Sequence, residues 1–207
     1  IMTEIKAFTK ERAKTCEELM RPDVRALLDL SLDEKIKKSK EVIKEAVEKY
    51  QKIGLGFSGG TDSLVLLHLV LPIKHNMPCV FVDTQHEFPE TYGFVNKVVI
   101  GWDIKDYQKV RADSVRTEEF KQKYGFKTPE FTVAYDGYHK IAPMMKVISD
   151  RGFDAFLVGL RGVEHEERAK ETFFSPRQNP SHIRVHPLLF WRQSDALEYV
   201  KKFNLEC

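Results

Sequence analysis

The sequence predicts an open α/β fold, a parallel sheet of about five strands with helices on both faces, and three observations carry that prediction. From Lys52 onward, short apolar runs alternate with helical segments, which is the rhythm of βαβ units. The chain has 207 residues, 42% of them hydrophobic, enough for one good core, and length alone argues for one domain. Between 53 and 71 an apolar strand run, a glycine pair and an apolar helix run follow one another without a linker. Ligand-binding groups in such a sheet are expected at the carboxyl ends of the strands, near a topological switch point.

Residues 3–30 read as helical, with Pro22 and Asp23 marking a break and a fresh start, so 1–30 is taken as an N-terminal helical extension to the main domain spanning 31–207. Ile1, standing before Met2, is expected to be a remnant of tagging or processing and takes no part in the reading. Ser31-Leu32-Asp33-Glu34 fits a capping box, after which Ile36, Ile43, Val47 and Tyr50 recur at helical spacing. The lysine-rich face of that helix is expected to be solvated, held by pairs such as Glu41 with Lys44 and Glu45 with Lys49. Strands are expected over 53–57, 79–82, 107–111, 155–160 and 183–186, and helices over 62–71, 89–99, 117–124, 142–150 and 194–203. The helix at 62–71 is apolar almost all round, as suits a helix covered on both sides. Ser58, Asp83, Arg161 and His186 then all fall at strand ends.

The net charge of +2 comes from 33 basic against 31 acidic residues, a mixed surface that gives nucleic-acid binding no support. Absence of a transmembrane-length apolar stretch or an opening signal makes a soluble, cytoplasmic protein the expectation. Cys16, Cys79 and Cys207 are widely spaced and odd in number, so they make neither a disulfide framework nor a zinc knuckle. His182 and His186 share a strand face, with His165 near in sequence. No third ligand stands at a metal-site spacing, so they read as solvated or hydrogen-bonding histidines and no metal site is assigned.

Phe57-Ser58-Gly59-Gly60-Thr61-Asp62-Ser63 is the most informative stretch. A buried strand ends, two glycines permit a tight turn with positive φ and close backbone approach, and a helix begins whose first N–H groups lack internal partners. Those donors and the helix dipole make an anion cradle. Ser58 and Ser63 add hydroxyl donors, and Asp62 puts a carboxylate where Mg²⁺ would be useful. No lysine follows the glycines, so the motif is not Walker A. At 82–92, Asp83 and Thr84 place a carboxylate and a hydroxyl beside that loop, and Pro89 fits the first turn of the next helix. Arg161, Glu164 and Arg168 lie three and four apart, so on a helical turn they share a face, and two guanidinium groups aimed at one place suit a phosphate or sulfate. By itself this third stretch is better read as a charged surface helix with internal ion pairs.

These stretches together resemble a known family. Ser-Gly-Gly-Thr-Asp-Ser is similar to the pyrophosphate-binding loop of the ATP-pyrophosphatase superfamily. Asp83-Thr84-Gln85-His86-Glu87-Phe88-Pro89-Glu90-Thr91 resembles the Asp-Thr-Gly-x-x-Phe-Pro-Glu-Thr segment of phosphoadenosine phosphosulfate (PAPS) reductases and of the ATP sulfurylase small subunit, with Gln85 in place of the glycine. The segment from Gly159 to Glu171 aligns with the family's Gly-x-Arg-Arg-Asp-Glu-x-x-x-Arg-Ala-Lys-Glu, with Gly162 and Val163 where Arg and Asp are common. Lys140-Ile141-Ala142-Pro143-Met144 resembles Lys-Val-x-Pro-Leu, and Arg184-Val185-His186-Pro187-Leu188 with Trp191 resembles Arg-Val-x-Pro-Leu-x-x-Trp, so the likeness covers about 31–207.

The resemblance implies a Rossmann-like, adenine nucleotide alpha hydrolase-like domain. It implies binding of ATP with Mg²⁺ by Ser58, Gly59, Gly60, Thr61, Asp62, Ser63, Asp83 and Thr84, and catalysis by Asp62, Arg161 and Arg168. Arg184 and Trp191 either shape the nucleotide pocket or pack elsewhere, and His86 and His165 are candidate anion donors. Because many PAPS reductases have a degraded loop, the intact one favours α,β-cleavage of ATP with transfer of AMP to an anionic acceptor, sulfate by resemblance, with a GTPase partner subunit or a homo-oligomer. Three alternatives stay open: a thiol-dependent PAPS or adenylyl sulfate reductase using Cys207 or a longer tail, an adenylating tRNA-modifying enzyme, and a nucleotide-binding module without turnover. Cys207 is read as the point where the chain stops or a short tail begins.

Overall fold

The computed structural model describes residues 14–206. The part of the expected first helix over 3–13, and Ile1 and Cys207, lie outside them. Six strands form one sheet in the order β3-β2-β1-β4-β6-β5. They are β1 (Ile53–Gly56), β2 (Cys79–Val82), β3 (Tyr107–Val110), β4 (Ala155–Leu157), β5 (Phe174–Arg177) and β6 (His182–Val185). All neighbours are parallel except β5, which runs antiparallel to β6 at the edge. The sixth strand went unforeseen because Pro176 interrupts its β pattern, a residue tolerated on an edge strand where one side of the ladder is free.

The chain leaves β1 toward β2 and β3, then crosses back to lay β4 on the other side of β1. The crevice beyond the carboxyl ends of β1 and β4 is therefore the switch point of the sheet. The loops that follow these two strands, Phe57–Gly60 and Val158–Arg161, face each other there.

Ten helices surround the sheet among the described residues: α1 (Cys16–Leu19), α2 (Pro22–Arg25), α3 (Leu32–Lys49), α4 (Thr61–Val70), α5 (Pro89–Gly101), α6 (Thr117–Tyr124), α7 (Pro129–Asp136), α8 (Ala142–Arg151), α9 (Glu166–Ala169) and α10 (Gln193–Lys202). A π-helical turn, Gly137–Ile141, joins α7 to α8. α4 is buried nearly all round, through Ser63, Leu64, Val65, Leu66, Leu67, Leu69 and Val70. The capping box at Ser31 is formed, with the Ser31 hydroxyl accepting from the Glu34 N–H and the Glu34 carboxylate accepting from the Ser31 N–H.

The lysine face of α3 departs from expectation. Among the described residues the ion pair within this helix is Lys38 with Glu41, at 3.6 Å, and not the two pairs anticipated. Lys35 is not solvated at all: it is 1% exposed and meets Asp195 of α10 at 2.5 Å. Ser39 on the same helix donates to the Pro187 carbonyl at 2.8 Å and accepts from the indole of Trp191 at 2.9 Å. Trp191 is thus a fully buried core residue, polar end satisfied, and not a pocket wall. The described part of the N-terminal segment packs on the main core through Met20, Val24 and Leu28. Arg192 fastens it by donating to Glu17, Asp29 and the Leu28 carbonyl.

Candidate functional site

Backbone geometry divides the two loop glycines. Gly59 has φ +80°, and a Cβ there would stand 2.9 Å from Val95 Cγ2, so this position needs glycine on both counts. Gly60 is extended at φ −82°, ψ 161°, so the positive φ expected of the pair belongs to Gly59 alone. Gly60 caps α4 with no side-chain hydrogen bond, which leaves the first helical N–H groups to a ligand. Inside the loop, the Ser63 hydroxyl donates to the Gly60 carbonyl at 2.8 Å and accepts from the Ser58 N–H at 3.2 Å. The Ser58 hydroxyl lies 3.1 Å from it and accepts from the Gly60 N–H at 3.4 Å. The loop is therefore shaped by its own hydroxyls.

Across the crevice, Gly159 approaches the start of α4 so closely that a Cβ would stand 2.9 Å from the Asp62 carbonyl group and the Ser63 nitrogen. Arg161, just beyond, is 7% exposed. Its Nε donates to Asp62 Oδ2 at 2.9 Å and its terminal nitrogen to Glu164 Oε1 at 2.9 Å, while Arg168 donates to the other Glu164 oxygen. Arg161, Glu164 and Arg168 do come together, though not on one helix. A single 3₁₀ turn, Gly162–Glu164, ends at His165 in extended conformation, and α9 starts afresh after it. Burial of Asp62 pushes its carboxyl upward, against the lowering effect of Arg161, which marks this ion pair as one held in a poorly hydrated place.

Two clefts meet at the loop. A polar one of 250 Å³ is lined by Thr61, Asp62, Arg161, Glu164 and Gln193. A larger one of 540 Å³ has Val80, Val82, Val158 and Met144 as apolar walls and Thr84, Lys140 and Arg184 among its polar ones. Ser58, Gly60, Ser63, Gly159 and Arg168 line both. A mostly apolar slot opening onto an anion cradle suits a ligand with a flat nonpolar body and a charged end.

Not every expected residue reaches the clefts. Asp83 is 4% exposed and lines neither, because its carboxylate is already engaged. Oδ1 accepts from the Tyr92 hydroxyl at 2.6 Å and the Gln85 N–H at 2.8 Å, and Oδ2 meets Lys109 at 3.0 Å. That bond holds Gln85 at φ 67°, the left-handed turn that the usual glycine would adopt freely. His86 and His165 are also spoken for, within 3.2 Å of the Thr84 carbonyl and of the Glu167 N–H respectively. His186 is buried, not solvated. Its Nδ1 lies 2.8 Å from the Thr172 carbonyl, which makes Nδ1 the protonated nitrogen, and burial lowers its pKa to about 4. Sequence reasoning named Lys140, Glu87, Thr91 and Met144 only within family segments and not as cleft residues; no local pattern distinguishes them from ordinary cap and helix residues. Among the described residues, no group of three His, Cys, Asp or Glu could hold a metal ion. No helix among them is long and apolar enough to cross a membrane.

A family profile described as the phosphoadenosine phosphosulfate reductase domain matches residues 52–207, which takes in both clefts. The chain belongs to that family. An adenosine 5′-phosphosulfate reductase of Staphylococcus epidermidis is 28% identical over 186 residues, covering 86% of this chain and 72% of that protein. Sulfate adenylyltransferase subunit 2 of Streptomyces lavendulae is 28% identical over 214 residues, covering 90% and 63%. The fold is shared with the crystal structure of a PAPS reductase from Candida auris in a phosphate complex, at TM-score 0.64 and 22% identity over 94% of this chain and 90% of that one. The PAPS reductase family and its nucleotide-binding fold are thus the chain's own; which reaction it runs is a separate question.

Proposed function

We propose that the chain binds an adenine nucleotide with the base and ribose in the large cleft and an anionic group on the Ser58–Ser63 loop, and that its substrate is an adenylyl sulfate whose sulfonyl group is reduced. The observation that carries this is the reductase-domain match across the whole site, supported by relatives named adenosine and phosphoadenosine phosphosulfate reductases. In that reaction a thiolate attacks the sulfur and the sulfur–oxygen bond to the nucleotide breaks. The adenosine phosphate leaves, and a reduced dithiol then releases sulfite and becomes a disulfide. Cys79 is unsuited to the attack, since burial pushes its thiol up to about 12. The thiolate is assigned to Cys207. Arg161 and Arg168 serve to neutralise charge on the departing phosphate.

A second reading is favoured by one observation, the loop with all its hydroxyls and free N–H groups in place. Here an anionic acceptor such as sulfate attacks the α-phosphorus of ATP, a phosphorus–oxygen bond forms, and pyrophosphate departs onto the loop. A GTPase partner or a second copy would belong to this reading. Asp62 keeps one carboxylate oxygen clear of Arg161, and one carboxylate with phosphate oxygens is an ordinary Mg²⁺ donor set; that ion would supply charge neutralisation on the pyrophosphate.

Product analysis separates the two. Incubation with adenosine phosphosulfate or PAPS and reduced thioredoxin should yield sulfite, lost in Cys207→Ser. Pyrophosphate release from Mg·ATP without ADP, and no sulfite from either sulfate ester, would overturn the reductase reading in favour of adenylyl transfer.

A further inference from the structure

The turn that carries Arg161 into the polar cleft is too short to hold its own shape. Gly162–Glu164 is a single 3₁₀ turn closed by the Glu164 N–H donating to the Arg161 carbonyl at 3.4 Å, and α9 after it is four residues long. Pieces of that length form too few internal bonds to offset the cost of ordering them, so packing from outside must fix them. Two neighbours do so at Gly162. Its N–H donates to the Leu189 carbonyl at 2.8 Å, and the methyl end of Met20 lies against it. A Cβ at Gly162 would stand 2.9 Å from Met20 Cε and 3.0 Å from the Leu189 oxygen, while its φ lies outside the left-handed region, so glycine is needed here for room alone. Met20 is 3% exposed and ends α1, which packs on both the 3₁₀ turn and α9. Arg192 anchors α1 in turn by donating to Glu17 at 2.9 Å. One stretch of chain, 189–192, thus supports the turn from Leu189 and fastens the segment that covers it from Arg192. Gly162 is also one of the positions at which the chain departs from the family segment.

We propose that Met20 is a positioning residue for the polar cleft: seated on Gly162, it clamps the turn that carries Arg161 and Glu164, and through Glu164 it holds Arg168. The N-terminal segment and the two arginines then form one coupled unit. The inference rests on the nucleotide reading above for the identity of the ligand, and on packing alone for the clamp. Coupling of this kind is reciprocal, so a ligand that gathers Arg161 and Arg168 must also steady α1.

Hydrogen exchange and calorimetry on the full chain test this, with adenosine 5′-phosphosulfate as the probe. Met20→Ala should speed amide exchange across 161–169 by about tenfold or more and weaken probe binding by about fivefold or more, with Met20→Leu within about twofold of the parent in both. Ile104→Ala removes a buried side chain near β3, at the far edge of the sheet, and should lower the melting temperature without either change. A Met20 that only fills the core would behave as Ile104 does, and that result overturns the proposal. Gly162→Ala approaches the same contact from its partner: the added methyl group presses on Met20, so exchange should rise in α1 and in 161–169 together. Unchanged exchange in α1 of that variant overturns the clamp, whether or not Met20→Ala folds. In the parent, the probe should slow exchange at the Leu19 and Met20 amides, which donate to the Thr15 and Cys16 carbonyls, and protection confined to the cleft would sink the coupling. A parent that does not bind the probe overturns the nucleotide reading instead, and the ligand-free exchange of the Met20 and Gly162 variants still decides the role of Met20.

Discussion

Gly59 and Gly60 are neighbours with different obligations, and mutation should separate them. Alanine at Gly59 must take a left-handed φ and press on Val95, so a loss of about 2 kcal/mol or more is expected in denaturant unfolding. At Gly60 a Cβ would meet only Ser58 Oγ at 3.5 Å in an extended backbone, and Gly60→Ala should stay within about 0.5 kcal/mol of the parent. A contrast of the opposite sign would show that the loop is shaped otherwise. The arginines divide likewise. Arg161→Met would strand Asp62 and Glu164 in a poorly hydrated crevice, with an expected cost of about 3 kcal/mol. Arg168 is nearly half exposed, so Arg168→Lys should leave the melting temperature unchanged and show its effect only in ligand affinity. The spacing of these residues was legible in the sequence; the burial that makes one costly to remove and the other not was not, because it depends on α4 arriving from a different part of the chain.

The elements that matter most to the site are those whose local signals agreed. Strand β2 and helix α6 occupy the ranges that alternation and helical spacing predict, and β1 into α4 is displaced by a single residue. What the sequence left out needed tertiary information. α7 opens with Thr128 as cap and Pro129 at its first turn, yet its exposed Val133 and half-buried Tyr135 give it no clean apolar stripe. The close approach of β4's loop to α4 appears in the sequence only as Gly159, one glycine among 11. Gly159→Ala tests what that approach does. Its methyl group would collide with the backbone of Asp62 and Ser63, neither of which can rotate away, so the first turn of α4 must shift or the crevice must open. Both a lower melting temperature and a smaller nucleotide-induced stabilisation are expected, measured by thermal shift with and without ligand. Full ligand stabilisation in this variant would mean that the helix start is not the phosphate cradle.

At the scale of the whole molecule the near-balanced charge conceals an asymmetry in how buried groups are arranged. His68, His139, His182 and His186 all have pKa values lowered by burial, so the fold holds them neutral while the unfolded chain protonates them near 6.5. A folded-state pKa below the unfolded one gives stability that is complete above pH 6.5 and is lost as pH falls toward the folded value, about 4 for His186. Asp62, whose pKa is raised, acts in the opposite sense and softens the loss. Asp83 and Asp106, both lowered, hold their contribution until the pH drops below the ordinary carboxylate range and then add to it. The melting temperature should therefore be level from pH 8 to about 6.5 and decline steadily toward pH 4. His186→Asn keeps a donor for the Thr172 carbonyl and removes the ring that titrates, at the cost of a small cavity. Its melting temperature should start lower at pH 8 and fall less between pH 6.5 and 4 than the parent's. Parallel curves for parent and variant across that window would show that His186 does not drive the acid instability of the fold.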